Sequence, residues 1–139
     1  MSTAFLSNVL RIIGAIFVVF FVLALIGSAT KMTEPALLYR LVGWADPGDA
    51  EEQMISIVYI VWGVFLWRAA KEPLSHHLFL DFTLVANFAH FGLMAIQAVV
   101  MPGEHLHLVG DVLAGFILLA VLAAAWLPVR RQLTASSVV

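Results

Sequence analysis

Four long apolar runs, Phe5–Ala29, Met54–Ala70, Leu78–Met101 and Leu106–Leu127, constrain this chain more than any other feature. A helix of about 20 apolar residues crosses the hydrocarbon of a bilayer. Within lipid each backbone polar group must be satisfied inside the protein, so each run is expected to be a helix. With their flanks, the helices are predicted over 5–29, 52–70, 77–101 and 106–127, a four-transmembrane-helix bundle of all-α class. Composition agrees. Hydrophobic residues make up 63% of the 139 positions and charged ones 12%, with a mean hydropathy of +1.02, whereas soluble domains run near half and a quarter. One membrane domain, 1–139, accounts for the chain and leaves no room for a soluble one. A net charge of −2 gives no reason to expect nucleic acid. The absence of cysteine excludes disulfides, thiolate metal sites and cysteine nucleophiles. The first run has signal-like flanks, Arg11 and Gly27-Ser28-Ala29, but its apolar stretch is long for a signal peptide and is expected to stay as a helix.

Basic residues set the orientation. Arg11, Arg68, Lys71, Arg130 and Arg131 share one side with both termini, and Lys31 and Arg40 fall on the other. Both termini are therefore expected in the cytoplasm. Trp67 and Trp126 then belong to the inner interfacial belt, Tyr39 and Trp44 to the outer one. The first connection carries Thr33-Glu34-Pro35, a helix-start signal. Leu37, Leu38, Leu41 and Val42 follow on one side, so 35–44 reads as a short amphipathic helix on the outer membrane surface, or otherwise as an irregular loop. Asp46-Pro47-Gly48-Asp49 is a turn, and the tail 132–139 is expected to fray.

Polar residues recur at helical spacing within the runs. Helix one carries Ser7, Arg11 and Gly14. Helix two carries Glu52, Ser56, Tyr59 and Gly63. Helix three carries Thr83, Asn87, His90, Met94 and Gln97, and helix four carries His107, Asp111 and Gly115. Each set lies on one helix face, and lipid disfavours polar faces, so these stripes should point inward. Counted by helical rise, Glu52 and His107 share the outermost layer, with Ser56, Gln97 and Asp111 about 6 Å deeper. Glu52, Gln97, His107 and Asp111 can then converge at the outer end. His90 lies about two turns below Asp111, too deep to share one metal ion with His107 and better placed to bond Tyr59. Asp81, one turn into helix three from the inner side, is expected to pair with Arg68 or Lys71.

Tyr59-x-x-x-Gly63-Val64-Phe65-Leu66, Pro73-Leu74-x-His76, His90-x-x-x-Met94-x-x-Gln97 and His107-Leu108-x-Gly110-Asp111 together resemble a family of small bacterial four-helix membrane proteins known only as a domain of unknown function. The resemblance spans roughly 51–128. It implies a bacterial inner-membrane, multi-pass protein and brings no activity, substrate or cofactor.

The candidate polar site therefore comprises Glu52, Ser56, Tyr59, His90, Gln97, His107 and Asp111. Glu52, His107 and Asp111 have the donor chemistry for zinc, iron or manganese. They also suit a hydrogen-bonded network that ties helix two to helix four, with the acids at favourable helix N-termini. There is no HExxH or Glu-x-x-His motif, nucleotide loop or Ser-His-Asp order. Catalytic machinery is thin. The first expectation for function is a small accessory or binding subunit in the bilayer, stabilising a larger membrane complex such as a transporter or binding a lipid-like ligand. The alternative is a membrane enzyme or redox or metal-binding protein that uses the outward acid–histidine site.

Overall fold

A computed structural model describes residues 2–43 and 50–136, with side chains through Leu133. Trp44 and the Asp46–Asp49 turn lie outside the described residues. The described chain is helical, without strands: α1 (Thr3–Ala29), α2 (Ala36–Val42), α3 (Ala50–Ala69), α4 (His77–Val100) and α5 (Asp111–Ser136). Two 3₁₀ turns, Pro73–His76 and His105–Leu108, lead into α4 and α5. Four helical segments, built on α1, α3, α4 and α5, are long and apolar enough to cross a membrane. The chain is thus a helical multi-pass protein by length and composition.

Local chemistry sets the helix ends. Ser2 caps α1, its hydroxyl accepting from the Phe5 amide at 3.3 Å. Pro35 stands just before α2 rather than inside its first turn, and the Glu34 carboxylate accepts from the Ala36 amide at 3.0 Å. The last helix begins at Asp111, not Leu106, because His105–Leu108 winds into its own 3₁₀ turn, with the His107 amide on the Glu104 carbonyl at 3.1 Å. It continues past Leu127 to Ser136. Pro128 forfeits one bond, to the Ala124 carbonyl, but Val129 is buried and Arg130 is bonded to Asp81, so the turn beyond the proline has tertiary support. Residues 132–136, where the sequence suggests fraying, are helical.

α1 lies along α3 at its closest where two glycines meet. A Cβ on Gly14 would stand 2.6 Å from the Gly63 carbonyl oxygen, and one on Gly63 would stand 2.6 Å from that of Gly14. Lipid tails are as apolar as leucine, so helix association here rests on van der Waals packing and polar links rather than on escape from water. α4 packs on α5, and α5 also on α1. The buried faces read Leu6, Leu10, Ile13 and Phe17 on α1, Tyr59 and Leu66 on α3, Leu80 on α4, and Leu122, Ala125 and Trp126 on α5. Arg11 is exposed rather than on that inward face, since the buried stripe of α1 is set by the larger apolar side chains around it. Trp126 is fully buried, not displayed in an interfacial belt. The outward face of α4 carries Leu78, Phe82, Val85 and Phe88, all exposed.

α2 rests on the His105–Leu108 turn. The backbone carbonyl of Leu41 presses against Gly110, where no side chain would fit. Leu37 and Leu38 stay exposed.

Candidate functional site

The structure gathers the polar side chains into three groups, at the outer end, the middle and the inner end of the bundle. "Outer" here denotes the end opposite the termini.

At the outer end the 3₁₀ turn places His107 one turn ahead of α5. His107 is 1% exposed, with Nδ1 3.0 Å from Asp111 Oδ1 and Nε2 3.1 Å from Glu104 Oε2. The first contact is an aligned hydrogen bond; the second is an ion-pair distance without that alignment. Asp111 Oδ1 also accepts from the Val112 amide at 2.9 Å, which fixes the carboxylate at the first turn of α5, where the helix dipole favours it. Glu104 is the member nearest water, at 24% side-chain exposure. His105 turns away and meets the Ala98 carbonyl through Nδ1 at 2.7 Å, tying the turn to the end of α4.

The carboxylate on His107 Nε2 is thus that of Glu104, where the helical layering favours Glu52. α3 carries Glu52 and packs on α1; among the described residues it shares no extensive surface with α5 or the His105–Leu108 turn. The Glu52 carbonyl accepts from the Ser56 hydroxyl at 2.7 Å, within α3. Gln97 is half-buried and contributes its carbonyl to the Met101 amide at 2.8 Å. Among the described residues no three His, Asp or Glu side chains come together so as to hold a metal ion.

In the middle, Tyr59 on α3 donates its hydroxyl to Asn87 Oδ1 on α4 at 2.9 Å. The Asn87 amide donates to the Thr83 carbonyl at 2.8 Å, and Trp62 Nε1 donates to Thr83 Oγ1 at 3.0 Å. Tyr59, Asn87 and Thr83 are all buried. His90 is not the hydrogen-bond partner of Tyr59; its ring leans on the Tyr59 ring at 5.5 Å between centroids. Asn87 lies three residues before His90 on α4, and it is Asn87 that stands level with the Tyr59 hydroxyl. Phe17 and Phe21 of α1 pack on the other sides of Tyr59.

At the inner end Asp81 bonds neither Arg68 nor Lys71 in the described contacts. Its two oxygens accept from Trp126 Nε1 at 2.7 Å and Arg130 Nε at 3.0 Å, clasping α4 to α5. Arg68 lies over the Phe65 ring at 5.6 Å. His76 and His77 are exposed.

Helical spacing marks Asn87 and Thr83 only as members of a polar stripe, and it does not mark Glu104 or Trp62 as partners in these clusters. Glu104 precedes His107 by three, a spacing that signals a contact only once the turn is known to be helical. Asn87 and Thr83 lie on the polar stripe of the third run, and that stripe was the available signal.

With this geometry established, the chain can be placed by comparison. It belongs to the family of unknown function DUF6632, whose model matches residues 3–134 and so takes in α1 and α2 as well as the region carrying the motifs. No curated protein and no solved structure shows significant similarity to it.

Proposed function

We propose that this protein is an accessory or binding subunit of the membrane, acting through its outer surfaces to stabilise a larger membrane complex such as a transporter, or to hold a lipid-like ligand at its outer end. The observation that carries this reading is where the polar chemistry goes. Tyr59, Asn87, Thr83 and Trp62 answer one another, as do Asp81, Trp126 and Arg130, so these groups lock helices together rather than line a substrate cavity. The outward faces are large and apolar, and at the outer end α2 offers Leu37 and Leu38 to an interface or a partner. The expected setting is a cell's inner (plasma) membrane, with both termini cytoplasmic on the evidence of the basic bias.

A second reading, an enzyme or redox or metal-binding protein, draws support from one feature, His107 flanked by two carboxylates near the outer surface. Purification from native membranes in mild detergent separates the two. The accessory reading expects a stoichiometric protein or lipid companion by mass spectrometry and no metal by elemental analysis. A lone chain carrying stoichiometric metal would favour the second reading instead.

A further inference from the structure

We propose that the inner end of the bundle binds one anionic phospholipid, drawn from the leaflet on the side of the termini, in the cleft between the end of α3 and the start of α4. The cleft is open and has a volume of about 530 Å³, and its lining includes Ser75, His76, Phe79 and Phe82. That lining changes character with depth. Ser75 and His76 are exposed on the connection, whereas Phe82 lies five residues into α4 from His77, about 8 Å further along the helix. Among the described residues α3 and α4 share no extensive backbone contact, and aromatic rings span the space between them. Trp62 stacks on Phe82 with centroids 5.4 Å apart, and Phe65 meets Phe79 at 6.3 Å. These rings give the cleft a braced apolar floor at hydrocarbon depth, on which an acyl chain gains dispersion contacts.

Charge selects the headgroup. Arg68 and Lys71 close α3 and open the connection, both are exposed, and among the described residues neither has an ion-pair partner. The Arg68 guanidinium lies 5.6 Å over the Phe65 ring, and Phe65 meets Phe79, so this charge stands two ring contacts from the cleft wall. Glu72 is the one acid of the connection, and it accepts from the Ser75 hydroxyl at 3.5 Å. Asp81 turns to α5, where Arg130 answers its charge. His77 holds Nδ1 3.4 Å from the Leu74 carbonyl, whereas His76 has no hydrogen-bond partner among the described residues and can donate to a phosphate oxygen. α4 also starts without a side-chain cap, which adds the positive end of its dipole at this level. Two unanswered cations beside an apolar floor fit a phosphate headgroup that carries acyl chains. An acidic peptide would leave Phe79 and Phe82 unused, and a zwitterionic lipid would bring its own cation next to Arg68 and Lys71. The site is separate from the outer surfaces and does not depend on what they bind.

The test is lipid capture by the full-length protein in nanodiscs of equal phosphatidylglycerol and phosphatidylethanolamine with identical chains. A photoreactive residue is placed at Leu78, 75% exposed on the cleft, or at Leu127 on α5, 43% exposed. The ratio of phosphatidylglycerol to phosphatidylethanolamine captured at Leu78 should exceed that at Leu127 by roughly 5- to 30-fold, the range that one or two surface cations give. Arg68→Gln/Lys71→Gln should bring the Leu78 ratio down to that of Leu127. Arg131→Gln removes an exposed charge from α5, which has no residue in the cleft, and should leave the ratio unchanged. Excess inorganic phosphate should not displace the lipid. Equal ratios at Leu78 and Leu127 would overturn the proposal, as would a preference that survives the loss of both cations. Displacement by inorganic phosphate, or capture of a second copy of the chain at Leu78 in place of lipid, would overturn it as well. Should the double variant fail to fold, the comparison of Leu78 with Leu127 in the wild-type background still decides.

Discussion

Replacing Gly14 by alanine should push α1 and α3 apart, and the size of the effect follows from the contact. The new Cβ would stand 2.6 Å from the Gly63 carbonyl oxygen and 3.2 Å from the Trp67 backbone nitrogen. Ordinary contact begins near 3.4 Å, so the shortfall is about 0.8 Å. The obstacle is backbone, which cannot rotate away as a side chain would, and the whole helix must shift. A radial gap of 0.5–1 Å forfeits roughly a quarter to a half of each dispersion contact, and the face concerned includes the buried Leu10, Ile13 and Phe17. Overpacking of this kind costs about 1–3 kcal/mol, and the upper half of that range is expected because dispersion is the main force holding these helices together. Gly92→Ala is the control. Nothing lies within 4 Å of its added Cβ, so only the helix preference of about 1 kcal/mol in favour of alanine remains. The double variant Gly14→Ala/Gly63→Ala should cost less than the sum of the single ones, because one displacement relieves both contacts, with a coupling of about 0.5–3 kcal/mol. Reversible unfolding in mixed micelles measures the two single variants, the double variant and the control against the wild type. Gly14→Ala as stable as Gly92→Ala would refute the close approach of the two backbones.

Other expectations follow from the polar clusters and the topology. Asn87→Leu should cost about 1–3 kcal/mol by stranding the buried Tyr59 hydroxyl, and adding Tyr59→Phe should recover much of that, since removing both partners is nearly neutral; unfolding of the pair of variants checks it. Asp81→Leu should destabilise the α4–α5 clasp by about 1–3 kcal/mol, while Asp81→Asn, which keeps an acceptor for Trp126, should cost less; indole fluorescence during unfolding reads both. Asp111→Asn keeps an acceptor for the Val112 amide and should fold, whereas Asp111→Leu should lower thermal stability; equal stability of the two would mean that Asp111 does not anchor the outer turn. Reporter fusions after the last helix and at Gly103 should report opposite sides of the membrane, the former cytoplasmic.

Much of this architecture was legible in the sequence because lipid imposes a simple rule, and runs of sufficient length had to be helices. The inward positions of Ser56, Tyr59, Gly63, Thr83 and Asn87 followed from their spacing for the same reason. Partner choice was less legible. Asn87 and His90 share one stripe of α4, and which of them meets Tyr59 depends on the axial offset between α3 and α4, a tertiary quantity. Asp81 pairs with residues 45 and 49 positions later rather than with the nearby cations, because α4 runs closer along α5 than along α3 and the inner end of α5 brings Trp126 and Arg130 to it. Glu104 replaced Glu52 at His107 for a local reason: a short 3₁₀ turn brings a residue three positions back within reach, whereas α3 packs elsewhere.

The proposed function puts the work of this bundle on its outward faces rather than in its interior. Photo-crosslinking in living cells tests it most directly, with a photoreactive residue placed in turn at Leu37 on α2, Val61 on α3, Val85 on α4 and Ile117 on α5, all of them exposed. Strong crosslinks are expected from one or two of these positions to the same membrane protein or lipid species, with the remaining positions marking bulk lipid. Uniform labelling of bulk lipid from every position, together with a function lost only on substitution of Glu104, His107 or Asp111, would contradict it.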